Sequence, residues 1–117
     1  MFRVIIAGGR TFKDYDRLCS VCDYMLQNQN EVEIVSGTAM GADKLGEKYA
    51  QERGYKIARF PAKWDEHGKA AGFIRNEEMA KYADALIAFW DGRSKGSEHM
   101  INLAKKYNLK IKICYYS

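Results

Sequence analysis

The sequence predicts an α/β fold in which β-strands and α-helices alternate along a chain of 117 residues. Two observations support this prediction. Short apolar runs of strand length alternate with segments whose apolar residues recur at helical spacing, which gives β-α four times and a closing strand. The runs at 2–7 and 85–90 are almost continuously apolar, as in strands covered on both faces, whereas 55–60 and 110–116 alternate with polar residues.

These strand compositions also predict the order of the sheet. The first and fourth strands, the most apolar, belong in the middle, and the alternating third and fifth strands suit the edges. An order of 3-2-1-4-5 with right-handed crossovers satisfies both conditions and places helices on both faces. The expected architecture is a three-layer Rossmann-like sandwich around a five-stranded parallel sheet, formed by a single domain over residues 1–117. Its switch point lies between the first and fourth strands.

The helices are predicted from their ends and their apolar stripes. Asp14 is the expected N-cap of the first helix, and Gly54 is expected to end a second helix over 41–53. Residues 62–72 are expected to be irregular and to lead into the third helix. Ser97 is the expected N-cap of the last helix.

Composition and charge limit the classes of partner. The net charge is +4, acidic and basic residues are interleaved, and no Lys/Arg run is long enough for a nucleic-acid-binding tail. We therefore expect an anionic small molecule as partner and no nucleic acid. No apolar stretch approaches the roughly 20 residues of a membrane span, so no membrane partner is expected. Three cysteines, an odd number, favour a reducing compartment, and the cytoplasm is the expected location.

Two of the cysteines, Cys19 and Cys22, form a C-x-x-C pair, a spacing found in redox and metal sites. The pair lies well inside the first helix among apolar residues, and no second Cys/His pair is near enough in sequence to complete a zinc site. These thiols are therefore expected in or beside the core. No metal and no cofactor is expected.

The segment Ser36–Asp43, with the sequence Ser-Gly-Thr-Ala-Met-Gly-Ala-Asp, joins the second strand to the second helix. Its two glycines allow a tight turn and a close approach of the backbone to a ligand. Unpaired amides at a helix start, together with the positive end of the helix dipole, favour a negatively charged group. The octet is thus a candidate phosphate-binding loop. A tight βα turn without a ligand is the alternative that the octet alone leaves open.

Ligands of such a sheet bind beyond the carboxyl ends of the strands, near the switch point. Four loops reach that edge, all rich in glycine or polar residues, and their agreement favours a binding site over plain connections: 8–10, 36–43, 61–72 and 91–97. The octet is not a P-loop, because three residues separate its glycines and no Gly-Lys-Ser/Thr follows. The first loop lacks G-x-G-x-x-G, and no acidic residue ends the second strand, which argues against a nicotinamide-binding enzyme.

Five motifs follow one another along nearly the whole chain: Gly8-Gly9-Arg10, Ser36-Gly37-x-Ala39-x-Gly41-Ala42-Asp43, Pro61-Ala62-x-Trp64, Gly68-x-x-Ala71-Gly72-x-x-Arg75-Asn76-x-x-Met79 and Gly92-x-x-x-Gly96-Ser97. The series resembles the SLOG superfamily, and most closely its stand-alone YspA-like branch. This resemblance implies a Rossmann-like domain that binds nucleotides or nucleotide-derived ligands such as ADP-ribose derivatives. The superfamily includes LONELY GUY phosphoribohydrolases, DNA-processing proteins and sensor domains.

The resemblance also implies the ligand-binding residues: Gly8, Gly9, Arg10, Ser36, Gly37, Gly41, Ala42, Asp43, Trp64, Arg75, Asn76, Gly92, Gly96 and Ser97. Arg10 and Arg75 are the expected phosphate partners, with a surface salt bridge as the alternative for Arg75. The octet offers amides and a hydroxyl to phosphate oxygens. For Asp43, a contact with a ribose hydroxyl and a purely structural role in the loop are equally expected. For Trp64, the alternatives are stacking on a base and packing on the core as a lid.

The leading functional hypothesis is a sensor or scavenger that binds a nucleotide-like ligand. The alternative is a nucleoside 5′-monophosphate phosphoribohydrolase, an N-glycosidase of LONELY GUY type. The resemblance places the LONELY GUY glutamate three residues after Ser97, where this chain has Met100, and Glu98 lies on another side of the helix. No catalytic residue is therefore assigned, although Asp43, Asp91 and Glu98 are possible substitutes.

A third class, a single-stranded DNA-binding protein, is less favoured, because no basic stripe with interleaved aromatic residues is present. SLOG-type domains often assemble, so a homo-oligomer is expected.

Overall fold

A computed structural model describes residues 1–117, and its elements alternate as expected. The elements are β1 (Phe2–Gly8), α1 (Tyr15–Leu26), β2 (Val32–Ser36), α2 (Ala42–Arg53), β3 (Lys56–Arg59), α3 (Trp64–His67), α4 (Ala71–Tyr82), β4 (Ala85–Trp90), α5 (Lys95–Lys106) and β5 (Lys110–Tyr115). All strand pairs are parallel, and the sheet order is β3-β2-β1-β4-β5. The predicted fold class and strand order are confirmed.

The sheet is covered on both faces, because successive residues of a strand point to opposite sides. Val4 and Ile6 of β1 pack in one core with α1 and α2. Ile5, from the same strand, packs with Leu86 of β4 in a second core with α4 and α5. Two cores on opposite sides of one sheet require the continuous apolar runs that predicted the two central strands.

The predicted N-cap of α1 and the predicted C-terminal end of α2 are correct. The Asp14 carboxylate accepts a hydrogen bond from the Arg17 amide at 3.0 Å and caps α1. Gly54 ends α2 with a φ of 73°, in the left-handed region that suits glycine.

The predicted start of the last helix is wrong. Ser94, not Ser97, is the N-cap of α5, and its side chain accepts the hydrogen bond of the Ser97 amide. The reason is local: one oxygen of Asp91 accepts from the amides of Arg93 and Ser94, both at 2.8 Å, which folds the loop tightly and lets the helix begin earlier. The segment 62–72 is also more regular than expected, because it contains α3 and a 3₁₀ turn at Gly68–Ala70.

The C-x-x-C cysteines lie in and beside a core. Cys22 is buried in the core under α1 and α2, Cys19 is partly buried, and both are free thiols. Burial raises the pKa of the Cys22 thiol, so little of it is the reactive thiolate. With helices of at most 12 residues, the fold has no helical element that could span a lipid bilayer.

The loops after β1 and β2 are locked together at Gly41. This residue has a φ of 81°, and a β-carbon there would lie 2.3 Å from the carbonyl oxygen of Gly9. The same carbonyl accepts a hydrogen bond from the Ala42 amide at 3.3 Å, at the start of α2. The second glycine of the octet therefore serves the packing of two loops against each other.

We predict that Gly41→Ala destabilises the chain far more than Gly54→Ala does. Both glycines have positive φ, but Gly54 has open space where a β-carbon would be, whereas Gly41 has a backbone oxygen. Chemical denaturation is expected to give a loss of about 1 kcal/mol for Gly54→Ala and about 3 kcal/mol or more for Gly41→Ala. Equal losses would show that the two loops are not in close contact.

Candidate functional site

A cavity of about 450 Å³ opens at the carboxyl ends of β1 and β4, at the switch point of the sheet. We call it the switch-point pocket. Backbone and polar side chains form most of its wall, which consists of Ala7, Gly8, Gly9, Arg10, Thr11, Ala39, Asp43, Arg75, Asn76, Asp91, Ser94, Gly96, Ser97 and Met100. Such a wall suits a polar or charged ligand better than an apolar one.

Two arginines from distant parts of the sequence face this pocket. Arg75, on α4, is partly buried and donates hydrogen bonds to the carbonyl oxygen of Gly37 and, at 2.9 Å, to Oδ1 of Asn76. Arg10 is exposed on the loop after β1. Burial and, more weakly, the charge of Arg10 lower the pKa of Arg75, while Asp43 acts in the opposite direction. The pocket thus holds two like charges close enough to repel, an arrangement that an anion would relieve.

Asn76 connects α4 to the start of α5. It is buried, and its amide nitrogen lies 3.4 Å from the Gly96 carbonyl oxygen and 3.2 Å from Nδ1 of His99. Because Asn76 also accepts from Arg75, it orients the guanidinium relative to the first turn of α5. That turn brings Gly96 and the buried Ser97 to the pocket, with the positive end of the helix dipole behind them.

Asp43 supplies a carboxylate at the floor of the pocket. Only 5% of the residue is exposed, and its Oδ2 accepts a hydrogen bond from the Ala39 amide at 3.2 Å. Burial raises the pKa of Asp43 to about 6, against the opposing effects of the Ala39 hydrogen bond and the Arg75 charge. The carboxyl is therefore mostly ionised at neutral pH and becomes protonated in mildly acidic solution.

A second buried carboxylate, Glu47, supports the octet from behind. Its Oε2 accepts from the Ser36 hydroxyl at 2.6 Å, and its Oε1 accepts from Nε of Arg59 at 3.0 Å. Burial alone would raise the pKa of Glu47, but these two hydrogen bonds lower it below its usual value. The Ser36 oxygen in turn accepts from the Thr38 amide at 3.0 Å, which anchors the octet.

Sequence reasoning missed Glu47, although a signal existed. It follows Asp43 by one helical turn, so both carboxylates lie on the same side of α2. It also missed Thr11 and Ser94 of the pocket wall, and it named Asp91 only as a possible substitute for the LONELY GUY glutamate. These polar residues adjoin or lie within loops that were already singled out, so the neighbours of Arg10 and Gly96 were the available clue.

The structure brings together eight of the predicted ligand-binding residues in the pocket wall: Gly8, Gly9, Arg10, Asp43, Arg75, Asn76, Gly96 and Ser97. It does not bring Ser36, Gly37, Gly41, Ala42, Trp64 or Gly92 to that wall. The octet serves mainly as the framework of the site: Ser36 and Ala42 are completely buried, and the Ser36 hydroxyl is engaged with Glu47. Trp64 lies outside the pocket in α3 and is 54% exposed.

Comparison with known proteins identifies the family. A sequence model of the YspA, cpYpsA-related SLOG family matches residues 2–67. The gene 61 protein of Mycobacterium phage D29 is 33% identical over 118 aligned residues, which cover 95% of this chain and 94% of the phage protein. The chain belongs to this SLOG family. The predicted resemblance to the YspA-like branch of the SLOG superfamily is thereby confirmed, and the matched residues include the first three of the five motifs.

One solved structure shows the same fold in a longer protein. DNA processing protein A from Helicobacter pylori, which has a unique single-stranded DNA binding mode, matches with a TM-score of 0.65 at 20% sequence identity. The match covers 96% of this chain and 64% of that one, so the SLOG chain spans less than two thirds of its structural neighbour.

The expectation that nucleic acid is not a partner is wrong on this comparison, because a protein of the same fold binds single-stranded DNA. The expectation depended on the absence of a basic stripe along the sequence. The fold instead collects basic groups from separate segments, as it does with Arg10 and Arg75. Linear charge patterning therefore gives no ground for excluding nucleic acid.

We predict a distinctive pH dependence of stability from Asp43. Its pKa is about 6 in the folded chain and near the ordinary 3.8 when unfolded, so between these values the folded state binds the extra proton. The stability of the wild type relative to Asp43→Asn should therefore fall as pH rises through this window, by about 1–3 kcal/mol. Urea denaturation at several pH values measures the difference.

Asp43→Asn has no titrating group at this position, so the difference between the two proteins isolates this one carboxylate. A difference that stays constant across the window would contradict the buried, ionisable carboxylate.

Proposed function

We propose that this SLOG protein binds a nucleotide or nucleotide-derived ligand, such as an ADP-ribose derivative or a nucleoside phosphate, in the switch-point pocket. The protein would act as a sensor or scavenger of that ligand. The observation that supports this most is the pair of arginines, Arg10 and Arg75, at one cavity beside the first turn of α5. Guanidinium groups and helix N-termini are the groups with which proteins bind phosphate.

The backbone of the pocket supports the same proposal. Gly8 and Gly9 contribute backbone to the pocket wall, although a β-carbon at either would collide with Phe89 or Tyr116, so both glycines also serve packing. Ser97 adds a hydroxyl near the start of α5. A cytoplasmic location and a homo-oligomeric state stay predictions from the sequence.

Hydrolysis of the ligand is the alternative, and we do not propose it. The carboxylates of the pocket wall are Asp43 and Asp91. One oxygen of Asp91 is already engaged by two backbone amides. Glu98 is exposed and absent from the pocket wall. Chromatography of nucleoside monophosphates after incubation with the protein tests the alternative, and rapid release of free base would establish it.

A second candidate function is the binding of single-stranded DNA at the same edge of the sheet. The support for it is the fold shared with the Helicobacter pylori protein. A DNA strand would present phosphates to the same arginines, but affinity would then depend steeply on salt.

We predict that Arg10→Ala weakens the binding of AMP and ADP-ribose by about tenfold or more in isothermal titration calorimetry, because a charge-assisted hydrogen bond to phosphate is lost. Since Arg10 is exposed, the melting temperature should hardly change. Arg93→Ala is the matched control: Arg93 has the same charge and is also exposed, but it lies outside the pocket wall. The affinity of Arg93→Ala for AMP and ADP-ribose should stay close to that of the wild type.

Equal effects of Arg10→Ala and Arg93→Ala on nucleotide affinity would contradict the proposed site.

A titration with oligothymidylate separates the two candidate functions. Tight, salt-sensitive binding of the oligonucleotide that excess nucleotide does not displace would establish the second candidate and overturn the first.

A further inference from the structure

The side-chain amide of Asn76 has one orientation that satisfies all of its neighbours. Nε of Arg75 is a donor, so the Asn76 atom that lies 2.9 Å from it is the amide oxygen. The Gly96 carbonyl oxygen accepts only, so the Asn76 atom 3.4 Å from it is the amide nitrogen. The same nitrogen lies 3.2 Å from Nδ1 of His99. Because an amide nitrogen only donates, Nδ1 of His99 has to accept, which requires a neutral ring with its proton on Nε2.

Protonation of His99 would break this chain of hydrogen bonds. Nδ1 would then carry a hydrogen directed at the donor nitrogen of Asn76, and two donors repel each other. Turning the Asn76 amide around would relieve that contact. It would also place the amide nitrogen against Nε of Arg75 and the amide oxygen against the carbonyl oxygen of Gly96. A proton on His99 therefore removes either its own contact with Asn76 or both of the other contacts.

The surroundings of His99 favour the neutral ring. The residue is partly buried, and its ring packs edge-on against Phe73 of α4, with 4.6 Å between the ring centroids. Burial lowers the pKa of His99, and the negative charge of Glu77, also on α4, acts more weakly in the opposite direction. We therefore expect His99 to be neutral at neutral pH.

Glu77 is the one charged group that acts on the His99 ring. Of the strands under α5, β4 has no charged residue, and Arg3 of β1 is paired with Glu33. The lysines of β5 point to the face opposite α5, because the isoleucines that alternate with them pack in the core that α5 covers. The other charged residues of α4 and α5, apart from Arg75, are exposed: Glu78, Lys81, Lys95, Glu98, Lys105 and Lys106.

The position of the Arg75 guanidinium depends on the Asn76 oxygen. Arg75 donates through Nε to Asn76 and through Nη1 to the carbonyl oxygen of Gly37, and these two bonds fix the plane of the guanidinium. We infer that neutral His99 is a positioning residue of the switch-point pocket, whose Nδ1 holds the Asn76 amide in the orientation that directs Arg75 at a ligand phosphate. His99 is not part of the pocket wall, so it acts through Asn76. This inference rests on the proposed function and adds a dependence of the site on one proton.

The inference predicts that acid weakens ligand binding. A proton on His99 adds positive charge near the pocket, and charge attraction alone would strengthen the binding of an anion. Loss of the contact between His99 and Asn76 acts in the opposite direction. We expect this loss to be the larger effect, because a buried donor without an acceptor is costly. By linkage, a bound ligand should then lower the pKa of His99.

Nitrogen NMR of the imidazole ring tests this sign directly. The variant His67→Asn leaves His99 as the one histidine of the chain, so its signals need no assignment. His67 is exposed in α3 and outside the pocket wall, so this variant should bind ligand as the wild type does. At about pH 7.5 the spectrum should show the neutral ring with its proton on Nε2.

Saturating ADP-ribose should then lower the pKa of His99 in the same variant. ADP-ribose is the suitable probe because its diphosphate has no group that titrates between mildly acidic and neutral pH. A neutral ring with its proton on Nδ1, or a pKa of His99 that ADP-ribose raises, would overturn the inference.

Calorimetric titration with ADP-ribose tests the contact through two substitutions of His99. His99→Asn should bind as the wild type does at neutral pH, because its side-chain oxygen can take the place of Nδ1 and accept from Asn76. His99→Leu leaves the Asn76 nitrogen without that acceptor and should bind about fivefold to tenfold more weakly. As pH falls through the pKa of His99, the wild type should lose affinity by a similar factor relative to His99→Asn. Asp43 titrates in the same range, but it is present in both proteins and cancels in the ratio.

The outcomes separate the inference from the proposed function. Wild-type affinity in His99→Leu, or a ratio of wild-type to His99→Asn affinity that does not fall in acid, would overturn the inference and leave the proposed function standing. If His99→Leu does not fold, the NMR measurements and the His99→Asn ratio decide. No binding of ADP-ribose to the wild type would overturn the proposed function for this ligand, and the inference with it.

Discussion

Arg75 donates a hydrogen bond to the carbonyl oxygen of Gly37, and this contact connects α4 to the loop after β2. The arrangement requires glycine at position 37, because a β-carbon there would collide with both Arg75 and Asp43. Through Asn76 the same guanidinium is tied to the first turn of α5. One partly buried cation thus holds three segments in register around the switch-point pocket, and the geometry of the site depends on it.

The site combines groups that are unfavourable for the folded chain by themselves. Burial disfavours the charged forms of both Asp43 and Arg75, and the charge of Arg10 opposes that of Arg75. Behind them, Glu47 is fully hydrogen-bonded and holds the octet in place through Ser36. A hydrogen-bonded support behind charged groups that burial disfavours is the arrangement expected of a preorganised binding site.

Much of the fold could be predicted from the sequence, because its cause is local in the chain. Continuous apolar runs identify β1 and β4 as central strands, and the strand order follows from them. The start of α5 was misplaced because Ser94 and Ser97 are both acceptable N-caps, and the choice between them depends on how Asp91 folds the preceding loop. Such a choice involves a small energy difference that periodicity does not reveal.

Only some residues of the candidate pocket could be predicted from the sequence, because which side chains face the pocket depends on contacts that form on folding. Motifs and topology pointed to the edge of the sheet where the switch-point pocket lies, and to Arg10, Arg75 and Asp43, which belong to its wall. They did not distinguish residues that face the pocket from residues that support it, so Ser36 was assigned to the ligand although its hydroxyl is bound to Glu47. They also led to the exclusion of nucleic acid, because charges that meet only after folding are not visible as a stripe in the sequence.

A crystal structure of the protein grown with AMP would show directly whether the switch-point pocket binds a nucleotide. We expect density in the pocket, with the phosphate within hydrogen-bonding distance of Arg10 or Arg75. Nucleotide bound elsewhere on the surface, with the pocket containing only solvent at saturating AMP, would contradict this expectation.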